Sequence, residues 1–165
     1  MQIVQNQYDE IHCFEPDLNN SFKLFEKFKI EHPKISLYDI ALGNKKGYIN
    51  FLTGKGYCSK IWKNSKQKEI INKLDSISKQ YCIKPTFIKI HTEGSELGVL
   101  KGAIKTIKQY RPIIAVTTYH TEDGLYKIPI YLMNRLTNYR FYWRNHNYQG
   151  QGSVLYCVPR ERYNK

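Results

Sequence analysis

The stretch from Phe87 to Thr118 constrains the fold most, because it has the pattern of a strand, a helix and a second strand. Phe87–Ile90 is a short apolar run that predicts a buried strand, and residues 113–118 form a second, β-branched run. Between the two runs, apolar side chains recur at helical spacing, at Leu97, Leu100, Ile104 and Ile107. A strand–helix–strand unit of about thirty residues is almost always a right-handed crossover between parallel strands. The sequence therefore predicts an α/β fold built on a parallel sheet.

Polar side chains follow both of these predicted strands, at the edge where parallel sheets bind their ligands. After the first strand come His91, Glu93 and Glu96, and after the second come Tyr119, His120 and Glu122. An imidazole can act as a general base near neutral pH, which makes His91 and His120 candidate catalytic residues. For both, the alternative is a structural histidine bonded to backbone. Glu93 and Glu96 also suit the positive end of the helix that begins near them, so a purely structural role is the alternative there.

An acidic residue also follows the first predicted strand of the chain. Residues 9–14 form a strand-like run that ends at Glu15-Pro16, because proline cannot continue the hydrogen-bond ladder. Nucleotide-binding α/β folds use a carboxylate at such a position to accept hydrogen bonds from both ribose hydroxyls. The competing interpretation is an exposed glutamate in a turn. A helix is predicted next, from Asp17 or Asn20 to about Ile30.

The middle of the chain predicts a hairpin, a loop and a helix. Residues 35–42 and 48–52 have strand patterns on either side of a turn that contains two glycines, and this arrangement is typical of hairpin partners. Residues 53–65 predict a loop over the site, and residues 70–81 have helical spacing.

The C-terminal part of the chain predicts one helix and two strands. The helix covers residues 125–136, with Pro129 in its first turn, and the strands cover residues 139–144 and 153–158. Two successive strands without a helix between them predict an antiparallel pair at the far edge of the sheet. With no composition shift or repeat along it, the chain is expected to form a single domain over residues 1–165.

The charge is strongly basic, with 26 lysines and arginines against 14 acidic residues and a net charge of +12. A nucleic-acid-binding module is one interpretation, for which residues 55–68 mix basic and aromatic side chains. The dispersal of the lysines elsewhere makes this the less favoured interpretation. The four cysteines are far apart and no histidine stands at zinc spacing, so no metal site is predicted. No apolar run approaches the ~20 residues of a membrane span, and a cytoplasmic protein is expected.

Several motifs occur together in a characteristic order. They are Phe14-Glu15-Pro16-Asp17, Ala41-Leu42-Gly43 with Gly47 after it, Ile88 to Glu96, Val99 to Ala103, Pro112, Tyr119-His120 and Val154 to Pro159. In this order and spacing the chain resembles the FkbM family of methyltransferases over nearly all of its length. The resemblance implies a Rossmann-like class I methyltransferase sheet, mostly parallel with an antiparallel far edge. It also implies S-adenosylmethionine as the cofactor and methylation of a hydroxyl on a sugar, glycan or secondary metabolite.

The resemblance assigns roles to two groups of residues. Glu15, followed by Pro16, would hold the ribose hydroxyls of S-adenosylmethionine, and the loop from Asp39 to Ala41 would lie along the adenine. His91, Glu93 and His120 would face the methyl group and the acceptor, which makes them the candidate catalytic residues.

The chain departs from the family pattern in two places. Members normally carry a strand and a glycine-containing loop before the Phe-Glu-Pro strand, whereas only Met1 to Tyr8 precede Asp9 here. This departure predicts that the N-terminal βα unit is missing, and a partner chain could supply it. His91 also stands where the family usually has aspartate. Together these departures support the alternative that the chain is a catalytically inactive, truncated remnant or one half of a split enzyme.

Overall fold

The computed structural model describes residues 8–17, 25–26, 29–30, 34–54, 59–147 and 152–163. Contacts within the chain divide it into two compact units. The first comprises Met1–Ala41 and Gly47–Ile71, and the second comprises Leu42–Lys46 and Asn72–Lys165. This division leaves the single domain a prediction. The same holds for the missing N-terminal unit, because residues 1–7 lie outside the described residues.

The first unit contains a pair of parallel strands. Strand β1 (Ile11–Phe14) confirms the strand predicted before Glu15, and it pairs with β2 (Ile35–Tyr38) in a register that places Phe14 opposite Tyr38. The segments that follow β1 and β2 therefore begin next to each other. The helix predicted from Asp17 or Asn20 to Ile30 falls mainly outside the described residues.

A second sheet has the order β3–β6–β4–β5. Its strands are β3 (Ala41–Leu42), β4 (Gly47–Leu52), β5 (Lys60–Ile61) and β6 (Lys68–Asn72). Strand β4 pairs antiparallel with both β5 and β6. The hairpin predicted between residues 35–42 and 48–52 is therefore wrong, because β6 lies between β3 and β4. Alternation identified the strands, but the choice of partner follows a buried cluster of Ala41, Ile49, Phe51 and Ile71.

The helix predicted over residues 70–81 is shorter than expected. Its first residues belong to β6, where Ile71 pairs with Gly47, and helix α1 covers only Leu74–Gln80. Strand pairing overrides the local helical spacing at Ile70 and Ile71. The Asn72 side chain accepts a hydrogen bond from the Lys73 N–H at 2.8 Å, at the boundary between the two elements.

The second unit carries the predicted strand–helix–strand motif. After α1 come β7 (Phe87–Ile90), α2 (Glu96–Tyr110), β8 (Ile113–Thr117), α3 (Gly124–Met133), β9 (Tyr139–Asn145), β10 (Ser153–Pro159) and a 3₁₀ turn at Arg160–Arg162. The sheet order is β7–β8–β10–β9. β7 and β8 are parallel, while β10 runs antiparallel to both β8 and β9. The crossover unit and the antiparallel far edge are thereby confirmed.

The prediction of a mostly parallel sheet is wrong for the described strands, although the α/β class is confirmed. Parallel pairing joins β1 to β2 and β7 to β8, and the β4, β9 and β10 pairings given above are antiparallel, so the sheets are mixed. The reason is connectivity. Few residues separate β9 from β10 in the sequence, and antiparallel neighbours need no crossover helix.

Helix α2 packs its apolar side into the core of the second unit. Leu100, Ala103 and Ile107 are fully buried, as are Ile114 and Val116 of β8. Strand β7 is less buried than predicted, because it forms one edge of the described sheet and only its last residue, at position 90, is buried.

Helix α3 begins at Gly124, so Pro129 falls inside the helix and the prediction that it lies in the first turn is wrong. Glycine is suited to the start, because a Cβ there would lie 2.4 Å from the Thr118 carbonyl oxygen. None of the helices in the described part of the chain is long and apolar enough to cross a membrane.

Candidate functional site

The parallel strands β7 and β8 end at the same edge of the sheet. Their register places Ile90 opposite Val116. His91, the first residue after β7, is therefore level with Thr117, the last residue of β8. The chain then turns sharply, with positive φ values of 49° at Glu93 and 100° at Gly94. Non-glycine residues adopt such a conformation only where neighbouring contacts hold it. This turn carries Glu93 to the start of α2.

The three predicted catalytic residues lie together at this edge. One carboxylate oxygen of Glu93, Oε1, is 3.1 Å from Nε2 of His91 and 3.3 Å from Nε2 of His120. The two imidazole rings have centroids 4.8 Å apart. The exposed fractions of the side chains are 42% for His91, 28% for Glu93 and only 7% for His120. The cluster is therefore open to solvent on the His91 side and closed on the His120 side.

Glu96 lies behind the cluster and is only 3% exposed. Its carboxylate accepts hydrogen bonds from the backbone N–H groups of Thr92 and Gly94, at 2.9 and 3.1 Å, and from the Thr117 hydroxyl at 3.2 Å. The fourth contact is with Nδ1 of His120, at 2.6 Å. An ionised carboxylate accepts and does not donate, so all four partners are donors.

The contact with Glu96 determines the tautomer of His120. Because Nδ1 donates its proton to the buried carboxylate, Nε2 carries the lone pair in the neutral ring. That nitrogen is the one that lies near Glu93. Tyr119 adjoins the same ring, with centroids 4.3 Å apart, and burial together with the charges of Glu93 and Glu96 raises the pKa of its phenol. The phenol is therefore neutral beside a histidine with an available Nε2.

Sequence reasoning noticed Glu96 but did not include it among the site residues, and it did not consider Thr117. Glu96 stands in the first turn of α2, where a negative charge is favoured by the helix dipole alone. This local explanation accounted for Glu96 in the sequence. Nothing in the sequence indicates its bond to His120, which is 24 positions away. Thr117 could have been found as the polar last residue of an otherwise apolar strand.

The predicted cofactor residues lie in the first unit, at the carboxyl edge of β1 and β2. The Glu15 N–H donates to the Tyr38 carbonyl at 3.0 Å, which continues the pairing of the two strands. Glu15 and Asp39 thus follow neighbouring parallel strands. Burial raises the pKa of Glu15, the N–H of Asp17 opposes this by donating to Oε1 at 2.8 Å, and the charges of Asp17 and Asp39 raise it further.

The surroundings of these residues differ. Pro16 is half-buried, Asp39 is exposed and Ala41 is buried. Asp17, which was not predicted as a site residue, is buried and accepts hydrogen bonds from the Gly54 N–H at 2.9 Å and the Ser59 hydroxyl at 2.6 Å. Asp17 therefore fixes the turn that begins at Glu15 to a later part of the first unit.

Comparison with known proteins agrees with this architecture. The sequence profile described as the Methyltransferase FkbM domain matches residues 3–149. A crystal structure of methyltransferase FkbM from Methylobacillus flagellatus KT superimposes with a TM-score of 0.70 at 23% sequence identity, which shows a shared fold. The superposition covers 91% of this chain but only 36% of that protein, so this chain spans about a third of its length. A comparison with curated proteins finds no match. Because the domain profile covers most of its residues, this chain belongs to the FkbM methyltransferase family.

Proposed function

We propose that this chain functions as an S-adenosylmethionine-dependent methyltransferase that methylates a hydroxyl group of a sugar or another small molecule. The observation that carries the proposal is the His120 side chain, whose Nδ1 is bonded to buried Glu96 while Nε2 lies 3.3 Å from Glu93. A histidine held in one tautomer, at the carboxyl edge of parallel strands, has the features of a general base. Family membership supplies the reaction class.

The first unit has groups that suit the nucleoside of the cofactor. The Glu15 carboxylate has about four lone-pair positions, of which the N–H of Asp17 uses one, and the remainder can accept hydrogen bonds from a ribose diol. Asp39 follows the neighbouring strand, and the segment to Ala41 would lie along the adenine. S-adenosylmethionine supplies, when bound, a methyl group activated by a sulfonium. A Rossmann-like arrangement of the strands is part of the same proposal.

The residues of the second unit would remove the proton from the acceptor hydroxyl. Nε2 of His120 is the stronger candidate, because Glu96 stabilises the imidazolium that forms when this nitrogen takes a proton. Nε2 of His91 is the second candidate, and its greater exposure suits contact with an incoming substrate. Glu93, which lies within 3.3 Å of both nitrogens, would stabilise positive charge on either ring.

Calorimetric titration with S-adenosylhomocysteine tests the cofactor part of the proposal. We expect micromolar binding by the unaltered chain and a loss of at least tenfold in Glu15→Ala. The matched control is Glu10→Ala, which removes a carboxylate from the same unit. The Glu10 side chain is 64% exposed. The affinity of this variant should be unchanged.

No binding by a chain with a folded circular-dichroism spectrum would contradict the proposal. That result would favour the inactive, truncated form or half of a split enzyme as the alternative. The acceptor can be sought among sugars and small hydroxylated metabolites only if the cofactor analogue binds. The cytoplasmic location expected from the sequence remains a prediction.

A further inference from the structure

We propose that His91, Glu93 and His120 form a binding site for a divalent transition-metal ion. All three residues belong to the second unit, and the argument uses only contacts within it. Ion binding does not require a bound cofactor, but an ion on both Nε2 atoms would occupy the lone pairs that the proposed base uses. The two roles therefore belong to the metal-bound and the metal-free forms of the cluster. His91 and His120 contribute the two nitrogen ligands, and Glu93 contributes the oxygen ligand.

The spacing of the ligand atoms suits a shared ion. Oε1 of Glu93 lies 3.1 and 3.3 Å from the two Nε2 atoms, and all three atoms lie within 4.8 Å of one another. Ligands bound to zinc at about 2.0–2.2 Å are roughly 3–3.5 Å apart when adjacent. Small rotations of the exposed His91 side chain would complete this geometry, because it has the freedom to move that His120 lacks.

His120 has the support that a metal-binding histidine requires. Its Nδ1 donates to the buried Glu96 carboxylate at 2.6 Å, and Glu96 is itself held by the N–H groups of Thr92 and Gly94. A carboxylate behind the ring fixes the tautomer and increases the basicity of the opposite nitrogen. The nitrogen freed in this way is the one that faces Glu93.

The ligand types indicate which ions should bind. Two imidazoles and one carboxylate suit zinc, cobalt or nickel, whereas magnesium prefers oxygen ligands and retains its water. Three protein ligands leave at least one coordination position open for water or a hydroxyl group. The exposed fractions of His91 and Glu93 provide a path for the ion from solvent.

The experiment uses the full chain without a polyhistidine tag, stripped of metal with a chelator. Titration with Co²⁺, followed by the visible absorption of the bound ion, should show one equivalent bound, and calorimetry with Zn²⁺ should give the same stoichiometry. Mg²⁺ at the same concentrations should not bind. We expect His91→Ala and His120→Ala each to weaken Zn²⁺ binding by at least tenfold.

Two further variants separate the site from other causes. His146→Ala removes a histidine elsewhere in the second unit, whose ring contacts the Tyr156 hydroxyl, and should bind Zn²⁺ as the unaltered chain does. Glu96→Gln retains all three ligands and should weaken binding by roughly 10–100-fold, because it removes the carboxylate behind His120. Circular dichroism of each metal-free variant establishes that it is folded.

Absence of saturable Zn²⁺ binding by the folded chain would overturn the inference. So would equal binding by His91→Ala and the unaltered chain, since His91 is exposed and its replacement leaves the fold intact. Titration with S-adenosylhomocysteine in the presence of chelator measures cofactor binding without metal. Loss of the metal site and loss of cofactor binding therefore remain distinguishable.

Discussion

Glu96 shows how one buried side chain can organise a site. It is 3% exposed, and it connects the turn after β7 to Thr117 at the end of β8 and to His120 beyond it. The backbone N–H groups that donate to it, those of Thr92 and Gly94, belong to the turn that precedes α2. The same carboxylate therefore stabilises this turn and orients the candidate base.

Replacement of Glu96 by glutamine should destabilise the protein. The glutamine side chain accepts hydrogen bonds only at its oxygen, because its nitrogen is a donor. At least one of three groups therefore loses its acceptor: the N–H of Thr92, the N–H of Gly94 or the ring of His120. An unsatisfied buried donor costs about 1–3 kcal/mol, and we expect a loss of this size in the free energy of unfolding from urea titration. The control is Glu122→Gln, an exposed acid in the neighbouring loop, which should change little. Equal stability of Glu96→Gln would contradict the hydrogen bonding described here.

Cofactor binding should depend on the ionisation of Glu15. Ribose hydroxyls donate hydrogen bonds more readily to a carboxylate than to a carboxylic acid. The chain with ionised Glu15 should therefore bind the cofactor more tightly. Because burial raises the pKa of Glu15, affinity for S-adenosylhomocysteine should fall on acidification at a higher pH than for an ordinary carboxyl group near 4.3. Calorimetry across pH 4–7 should show this fall in the unaltered chain. Glu15→Gln should bind weakly with no such dependence, and a flat profile in both would refute the assignment.

Helix α2 carries two glycines with opposite expectations. A Cβ at Gly102 would lie 1.8 Å from the Gly43 carbonyl oxygen, whereas a Cβ at Gly98 would meet no described atom within 4 Å apart from its chain neighbours and the nearby backbone of its own helix. Gly102→Ala must therefore displace the helix, and we expect a loss of about 1–3 kcal/mol in the free energy of unfolding. Gly98→Ala removes only the flexibility of glycine and should stabilise by about 0.5–1 kcal/mol. Urea unfolding of both variants is the measurement, and each serves as the control for the other.

The end of α2 is fixed to the chain after β10 by an ion pair. Arg111 donates to Glu161 from Nε at 2.5 Å and from Nη2 at 3.1 Å, and its Nη1 donates to the Thr137 carbonyl. The Arg111 guanidinium lowers the pKa of Glu161 to about 2, aided by the backbone N–H of Glu161 itself. Arg111 also ends the helix in a left-handed conformation, with φ of 48°.

Stability should respond to acid through this pair. A carboxyl group whose pKa is lower in the folded state stabilises the protein above its ordinary pKa, and this contribution is lost as the pH falls towards 2. The unaltered chain should therefore lose stability between about pH 4.5 and pH 2 more steeply than Glu161→Gln. Urea unfolding at several pH values in this range checks the difference, and parallel curves would show that the pair contributes nothing.

The sequence predicted the elements around the site better than those of the first unit. The strand–helix–strand motif was placed to within about two residues, because an apolar run, a helical face and Pro112 mark its boundaries. That placement also brought together His91, Glu93 and His120, since parallel strands share an edge. Strand partners in the first unit were not predictable, because alternation identifies a strand without identifying its neighbour.

Two errors have the same origin in long-range pairing. Ile70 and Ile71 have helical spacing with the residues that follow, but pairing of Ile71 with Gly47 makes them a strand. The bond from His120 to Glu96 likewise joins residues far apart in the chain. The local sequence pattern gives no information about contacts between distant residues. The elements near the cluster were therefore predictable, whereas the role of Glu96 behind it was not.

The charge of the whole chain gives a final test of the nucleic-acid alternative. A net charge of +12 spread over the molecule should attract polyanions without sequence preference. Because such binding depends on counterion release, it should weaken by orders of magnitude between about 50 and 200 mM salt. Fluorescence anisotropy with two unrelated oligonucleotides should give equal and equally salt-sensitive curves. Salt-resistant binding with a preference for one sequence would support a nucleic-acid module.

The position of β10 has a consequence for how the protein is made. Although β10 is the last of the described strands in sequence, it lies between β8 and β9 in their sheet. During synthesis, β8 therefore emerges with an open edge that stays unpaired while residues 118–152 are added, and β9 emerges before the neighbour it pairs with. An unpaired apolar edge is a site for association between nascent chains. The second unit should thus complete its sheet only when residue 159 has left the ribosome, so its folding is late and depends on sequence-distant pairing.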